Sequence, residues 1–162
     1  MAAAYEHEGL GQVGVISDTH GLMRPQALGA LEGSDLLIHA GDIGKPEVLE
    51  GLKSIAPVIA VRGNIDKGQW ARELEGTAVV KIGAVLIYVL HDVKEFSLDP
   101  QAQGFRVVIS GHSHRPSVIE RNGVLFLNPG SAGPRRFKLP VSVARLRVEG
   151  TSVDAKLVEL QV

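Results

Sequence analysis

The chain has no cysteine in any of its 162 residues. That excludes a disulfide framework, a thiolate nucleophile and a sulfur-ligated zinc or iron–sulfur site, and it is compatible with a reducing cytoplasm, the expected location. Basic excess is missing too: 17 Lys and Arg stand against 18 Asp and Glu, a formal net charge of −1. A dedicated nucleic-acid or membrane-surface binder carries a positive surplus, so neither partner is expected. No apolar run approaches the ~20 residues of a membrane-spanning helix. Internal repeats, linkers and low-complexity tracts are lacking. Residues 1–12 are small and polar, with no basic stretch ahead of an apolar one, and read as a short flexible leader rather than a secretory signal. What is present, 44% hydrophobic and 22% charged residues, is the composition of an ordinary globular protein, and residues 13–162 suit one domain with a substantial core.

Three short apolar runs, Val13–Ser17, Asp35–His39 and Pro57–Val61, come at intervals of roughly 20 to 25 residues, the spacing of strand–loop–helix units. Between them, Pro25 and Pro46 are suited to the first turn of a helix, and Leu28, Leu31, Val48, Leu49 and Leu52 supply apolar faces. This alternation predicts right-handed crossovers and parallel strands. After Trp70 the pattern changes. Thr77–Ile82 and Val85–Leu90 flank Gly83-Ala84 as a hairpin, and a short helix is expected at Asp99–Gln103 before a strand from Phe105 to Ser110. Val118–Glu120 and Val124–Leu127 flank Asn122-Gly123, a strong hairpin signal, and Ser142–Val148 with Ser152–Leu160 predict a final antiparallel pair. That is too much strand for one parallel sheet. Two packed mixed sheets with helices on the outer faces are expected.

Polar residues follow the strands at their carboxyl ends, where open α/β sheets place ligands. Asp18 and His20 follow the first strand, Asp42 the second, Asn64 the third, His91 the second strand of the first hairpin, and His112 and His114 the strand after it. If the chain stays extended, Asp18 and His20 point to one side, as residues i and i+2 do. Each feature also has an ordinary explanation. Ser17, Asp18 and Thr19 are helix-capping types, Gly41-Asp42 and Gly63-Asn64 are turn pairs, and a histidine at a strand end is common. Five segments ending this way in chain order are harder to attribute to turns. The donors are nitrogen and oxygen without sulfur, which favours manganese, iron, zinc, cobalt or nickel over copper(I). Seven donors exceed what one tetrahedral ion needs, and two ions sharing a carboxylate is the natural partition.

Taken together, Asp18-Thr19-His20, Gly41-Asp42, Gly63-Asn64, His91 and Gly111-His112-Ser113-His114 resemble the motif set of the calcineurin-like metallophosphoesterase superfamily. The short length and Asn128-Pro129-Gly130-Ser131 resemble its compact bacterial and archaeal phosphodiesterase branch. The resemblance implies a four-layer α/β/β/α sandwich and two divalent metal ions per chain, manganese first, with nickel, zinc, iron or cobalt as alternatives. By position, Asp18, His20 and His114 would bind one ion, Asn64, His91 and His112 the other, and Asp42 both. It implies hydrolysis of small phosphodiesters by a metal-bridging hydroxide, with Asp42, Asn64 and His112 as the residues closest to the chemistry. A non-catalytic scaffold of the same fold, as in the retromer subunit that resembles these enzymes, and a phosphomonoesterase are the alternatives.

The chain departs from that pattern twice. Ile65 follows Asn64 where many members carry a histidine near the leaving group, and Asp92 follows His91 where the branch has glycine. Asp92 is read as a partner of a histidine or as a loop acid. Asp66 takes part only if its loop brings it round. His39 orients a ligand or is a satisfied core histidine. Arg135 and Arg136 face a substrate phosphate or solvent, and Trp70 stacks on a base or aromatic leaving group or, more commonly, caps an edge of the core. Exposed strands and loops leave room for a homo-oligomer, whose subunits the sequence does not count.

Overall fold

The computed structural model describes residues 2–7 and 11–162. In chain order the elements are β1 (Ala2–His7), β2 (Gly11–Ile16), α1 (Pro25–Leu31), β3 (Leu36–His39), α2 (Pro46–Lys53), β4 (Val58–Ala60), α3 (Gln69–Arg72), β5 (Thr77–Ile82) and β6 (Val85–Leu90). A short 3₁₀ helix (Val93–Glu95), β7 (Phe105–Ile109), β8 (Ser117–Arg121), β9 (Val124–Asn128), β10 (Ser142–Glu149) and β11 (Ser152–Glu159) complete the chain. Pro25 and Pro46 occupy the first turns of α1 and α2, where a missing N–H removes no bond.

Two mixed sheets result, one of order β1-β5-β6-β7-β9-β8 and one of order β11-β10-β2-β3-β4. The units β2–α1–β3–α2–β4 run parallel, and β10 closes antiparallel on β2. Alternation along each strand decides where its side chains go. Val15, Leu36 and Ile38 enter the core between the sheets with Val80, Ile87, Val107 and Ile109, while Ile16 and Leu37 turn the other way to meet Leu31 and Leu52 of the helices. Both faces of β2 and β3 are therefore buried, which is why their sequences are continuous apolar runs. Trp70 packs against the helix-side cluster, as expected of a core edge.

Two expectations need correction. Residues 2–7 of the expected leader form a strand, paired parallel with β5 from Ala2↔Thr77 to His7↔Ile82. The free edge of β5 supplies unpaired backbone groups, and a stretch without proline can take them. Residues 1 and 8–10 lie outside the described residues. Asp99–Gln103 is a turn, held by the Asp99 carboxylate accepting from the Gln101 and Ala102 N–H groups, and the short helix falls earlier, at Val93–Glu95. The two packed mixed sheets are as expected. All three α-helices contribute to the cluster on the five-stranded sheet, whereas Leu90, Val108 and Val124 on the outer face of the other sheet are covered by Phe96 from the connection before β7. Among the described residues no helix is long and apolar enough to cross a membrane.

Candidate metal centre

The chain leaves β2, β3, β4, β6 and β7 at one rim of the two sheets, and each exit carries a polar residue that the sequence singles out. Two groups form there. Asp18, His20 and His114 bring donor atoms within 4.8 Å of one another, and so do Asp42, His91 and His112. The groups adjoin: His20 Nε2 lies 3.6 Å from Asp42 Oδ2, and His91 Nε2 lies 3.9 Å from Asp18 Oδ1 and 3.3 Å from Asp42 Oδ2. His114 Nε2 is 3.3 Å from Asp18 Oδ1. His112 and His114, two residues apart in sequence, thus fall into different groups. Asn64 is exposed and shares the wall of a cavity with His91 and Asp92.

The expectation of an extended Asp18–His20 segment fails. Asp18, His20, Asp42, His112 and His114 all have positive φ, at 55°, 48°, 56°, 70° and 63°. Non-glycine residues rarely adopt this region, and each such residue costs about 1–3 kcal/mol unless its surroundings impose it. The surroundings here are backbone hydrogen bonds between loops. Asp18 N–H donates to Gly41 O (3.0 Å), His20 N–H to Asp42 O (3.0 Å), Gly21 N–H to Ile43 O (2.7 Å) and Gly111 N–H to His91 O (2.9 Å). The side chains of these five residues converge because the backbone turns at each of them, not because a strand continues.

Glycine precedes the donors for reasons of space as well as conformation. A Cβ on Gly63 would collide with the backbone and carboxylate of Asp42, and one on Gly111 with Ser17 Oγ and the Asp18 carboxylate. Asp18 is itself fixed. Its Oδ2 accepts from Ser17 Oγ (2.8 Å) and from the His112 N–H (3.0 Å), and its carbonyl accepts from Ser131 Oγ (3.0 Å).

Asp66 does turn inward, but not toward the donors. It is 4% exposed, and its carboxylate accepts the N–H groups of Ile43 (3.1 Å), Gly44 (2.9 Å) and Gly63 (2.8 Å), so it staples the Asp42 loop to the Asn64 loop. The Ile65 N–H donates to Asp42 Oδ1 (3.2 Å), although the Ile65 side chain is 43% exposed. Asn128 donates to Gly111 O and to Ser113 Oγ, bracing the His112–His114 turn. Sequence reasoning singles out Asn128 and Ser131 as part of a motif but misses their bracing roles, and it misses Asp66 as a staple. For Asp66 the available signal was its place three residues after Gly63, a spacing at which an aspartate side chain can close its own turn.

His39 is fully buried. The Gly41 N–H donates to its Nδ1 (3.1 Å), which places the ring proton on Nε2, facing Thr19 Oγ1 (3.0 Å), and that hydroxyl donates in turn to Ile43 O. It is a satisfied core histidine that also links the two loops. Asp92 has both roles considered for it: Oδ1 caps the 3₁₀ helix at the Lys94 N–H, and Oδ2 lies 3.7 Å from His112 Nε2. Arg135 and Arg136 are exposed and follow Gly133, whose carbonyl accepts from Arg24.

The two carboxylates differ in character. Burial raises the Asp18 carboxyl above the usual range, against the opposing pull of the Ser17 hydroxyl and two imidazoles. Burial also acts on Asp42, but the facing His91, the Ile65 N–H and His20 outweigh it and hold the group at about 2. Burial lowers His114, and the charge of Arg136 adds to the effect. For His91, burial is outweighed by the Asp42 carboxylate, the Ala40 carbonyl and Asp18, and its pKa rises. Among the described residues, Asp18 Oδ1, His20 Nε2, His91 Nε2 and His114 Nδ1 are buried without a hydrogen-bond partner, and Arg24 Nε is the one other such side-chain atom. Buried polar atoms are nearly always satisfied, so four orphans converging at one rim fit a divalent cation with nitrogen and oxygen donors.

A family model described as the calcineurin-like phosphoesterase superfamily domain matches residues 12–151. A protein of Methanocaldococcus jannaschii named as a probable metallophosphoesterase is 37% identical over 158 residues, covering 92% of this chain and 81% of that protein. Among solved structures, Vps29 of Cryptosporidium parvum matches with a TM-score of 0.80 at 23% identity, over 94% of this chain and 93% of that one. A structure described as a novel archaeal phosphodiesterase matches with a TM-score of 0.75 at 22% identity, over 91% and 99%. At these identities the two structures speak to the fold, α/β with two mixed sheets.

Proposed function

Because this chain belongs to the calcineurin-like phosphoesterase superfamily, a family of phosphoric ester hydrolases, we propose that it is a phosphodiesterase that uses two divalent metal ions. The observation that carries the reading is the pair of adjoining donor groups, whose residues include four unpartnered buried atoms. Asp18, His20 and His114 would hold one ion, Asn64, His91 and His112 the other, and Asp42 both. Manganese is the first candidate, with nickel, zinc, iron and cobalt next. Two ions held there supply a water acidic enough to be a nucleophile at neutral pH and neutralise charge on the phosphoryl oxygens.

The chain's own residues do the rest. Asp42, with its carboxyl held at about 2, is anionic at neutral pH, and its Oδ2 faces His20 of one group and His91 of the other, the position a shared carboxylate needs. Asn64 adds a neutral oxygen and so keeps the centre electrophilic. The positive-φ backbone and the loop-to-loop hydrogen bonds fix the donors before substrate arrives, which removes reorganisation from the reaction. Ile65 offers no imidazole to a leaving group. This favours diesters over monoesters, and the likeness to a protein described as an archaeal phosphodiesterase supports the same substrate class. The scaffold reading draws on the likeness to Vps29, but seven competent donors serve no purpose in a pure scaffold.

The deciding experiment combines elemental analysis with a panel of activated mono- and diesters under manganese, nickel, zinc and magnesium. Diester hydrolysis that Asp42→Ala abolishes is expected. Two tightly held ions with no turnover of any ester would support the scaffold instead. His112→Ala and His114→Ala should lose different ions, and loss of the same single ion from both would refute the partition.

A further inference from the structure

Behind the loop that carries Asn64 lies a cavity of about 280 Å³, lined by Arg62, Asp66, Lys67, Gly68, Ala71 and Arg72. Arg62, Lys67 and Arg72 put three cations in one concave wall, and all three are exposed. The one carboxylate in that wall is Asp66, and both its oxygens are spent on the N–H groups of Ile43, Gly44 and Gly63. The lysine and arginine ion pairs among the described residues are Lys53–Glu50, Arg106–Glu120 and Arg147–Glu149, so none of the three cations has a carboxylate partner there. Glu73 and Glu75 follow Arg72 in sequence but line a different cavity, with Tyr5 and Val58. In a chain of net charge −1, this is a local concentration of positive charge with no acid to balance it.

We infer that this cavity holds a second phosphate of the substrate, beyond the phosphodiester that is cleaved. The inference rests on the phosphodiesterase reading above and deepens it. Position supports it first. Arg62 lines this cavity and also the one whose wall contains Asn64 and His91, so a substrate seated at the second donor group can continue past Arg62 into the basic cavity. The volume is at the small end of ligand sites and suits one compact group rather than a whole ligand. Charge then selects the group. A terminal phosphate brings nearly two negative charges and three acceptor oxygens, against one charge and two oxygens for a carboxylate. Two guanidinium forks and an ammonium group supply donors for all three oxygens, and they oppose any cationic group. The wall is also held in place. The Arg62 guanidinium donates to Leu74 O (3.2 Å) and its backbone N–H to Glu75 O (2.9 Å), while the Asp66 N–H donates to Gly63 O (3.3 Å) and the Arg72 N–H to Gly68 O (3.3 Å). Arg62 keeps further N–H groups for an anion, since a guanidinium carries five.

The test uses p-nitrophenyl phosphodiesters whose second ester group is hydroxyethyl or hydroxybutyl, and the same esters with a phosphate on the terminal hydroxyl. At low ionic strength the better phosphate-bearing ester should exceed its hydroxyl counterpart in kcat/KM by roughly tenfold or more, the weight of one hydrogen bond to a charged group. The advantage should shrink in ~0.5 M salt, because exposed charges are screened. Arg72→Glu and Lys67→Glu should each reduce the phosphate-over-hydroxyl ratio by roughly tenfold, the effect of one close charge reversed. Capping the terminal phosphate with methyl mimics the next link of a nucleic-acid strand. An advantage kept on capping assigns the second phosphate to an oligonucleotide, one lost on capping assigns it to the end of a small molecule, and both uphold the pocket. A further readout does not involve turnover. Inorganic phosphate titrated into the magnesium-loaded full chain should shift the backbone amides of Gly68 and Ala71 saturably, and Arg72→Glu should abolish the shift. Equal kcat/KM for the phosphate and hydroxyl esters at both lengths, unmoved amides, or a preference that Arg135→Glu removes and Arg72→Glu leaves, overturns the pocket. Shifted amides with no turnover of any diester would leave the anion pocket standing and refute the phosphodiesterase reading instead.

Discussion

Asp66 holds together two loops that share no strand. Its three accepted N–H groups come from Ile43 and Gly44 on one loop and Gly63 on the other, next to Asp42 and Asn64 respectively. In Asp66→Asn an amide NH₂ replaces one oxygen, so at least one of those buried N–H groups loses its acceptor. A loss of about 1–3 kcal/mol in urea unfolding is expected. Metal titration should show a larger loss at the ion placed between Asp42 and Asn64 than at the other. Equal weakening of both ions would mean that Asp66 acts only on global stability. Gly63 makes the companion case. Gly63→Ala puts a methyl group into the backbone and carboxylate of Asp42, and an overpacked site costs about 1–3 kcal/mol. Turnover should fall with it, because the displaced residue is the proposed shared ligand. A fully active Gly63→Ala enzyme would show that Asp42 can move without consequence.

At the level of elements, the connection from β9 to β10 acts as a brace over the first donor loop. Ser131 Oγ donates to Asp18 O, and the Gly133 N–H donates to Ser131 Oγ. Ser131→Ala should therefore cost about 1–2 kcal/mol of stability and weaken the ion assigned to Asp18, His20 and His114 selectively, as read by competition with a coloured chelator. The strands and both longer helices were legible in the sequence because periodicity and N-terminal prolines report directly on burial and capping. The donors were legible because each sits where an apolar run stops. Their backbone was not. Positive φ at Asp18 or His20 comes with hydrogen bonds to a loop distant in the chain, which local sequence does not encode. For the same reason β1 went unseen: a run of alanines becomes a strand only because β5 offers an edge. Asp66 reads as a turn residue until the loop it staples is known.

For the whole molecule, acid acts through His39 as well as through the donor set. Burial drives its pKa from 6.5 to about 3, with the charge on His91 adding to the shift, Asp42 opposing it and His20 contributing less. The unfolded chain binds this proton below about pH 6.5 and the native chain does not, so unfolding takes up a proton across that window and stability rises with pH. The contribution is fully present above the unfolded value and is lost as pH falls toward about 3. Its slope is about 1.4 kcal/mol per pH unit, with a total of several kcal/mol. His39→Asn keeps an acceptor for the Gly41 N–H but cannot titrate. At pH 7.5, in the presence of chelator, the variant should be the less stable protein, since it loses ring packing and the bond to Thr19. On acidification toward pH 4.5 the wild type should lose stability faster, and the gap between the two urea midpoints should narrow or reverse. Other groups that titrate in this window are present in both proteins and largely cancel in the difference. A gap that stays constant from pH 7.5 to 4.5 would show that His39 is protonated equally in the folded and unfolded chains, contrary to its burial. With manganese added, both proteins should gain stability as RT ln(1 + [M]/Kd), and the wild type should gain more if the His39 link between the Thr19 and Ile43 loops holds the donors in place.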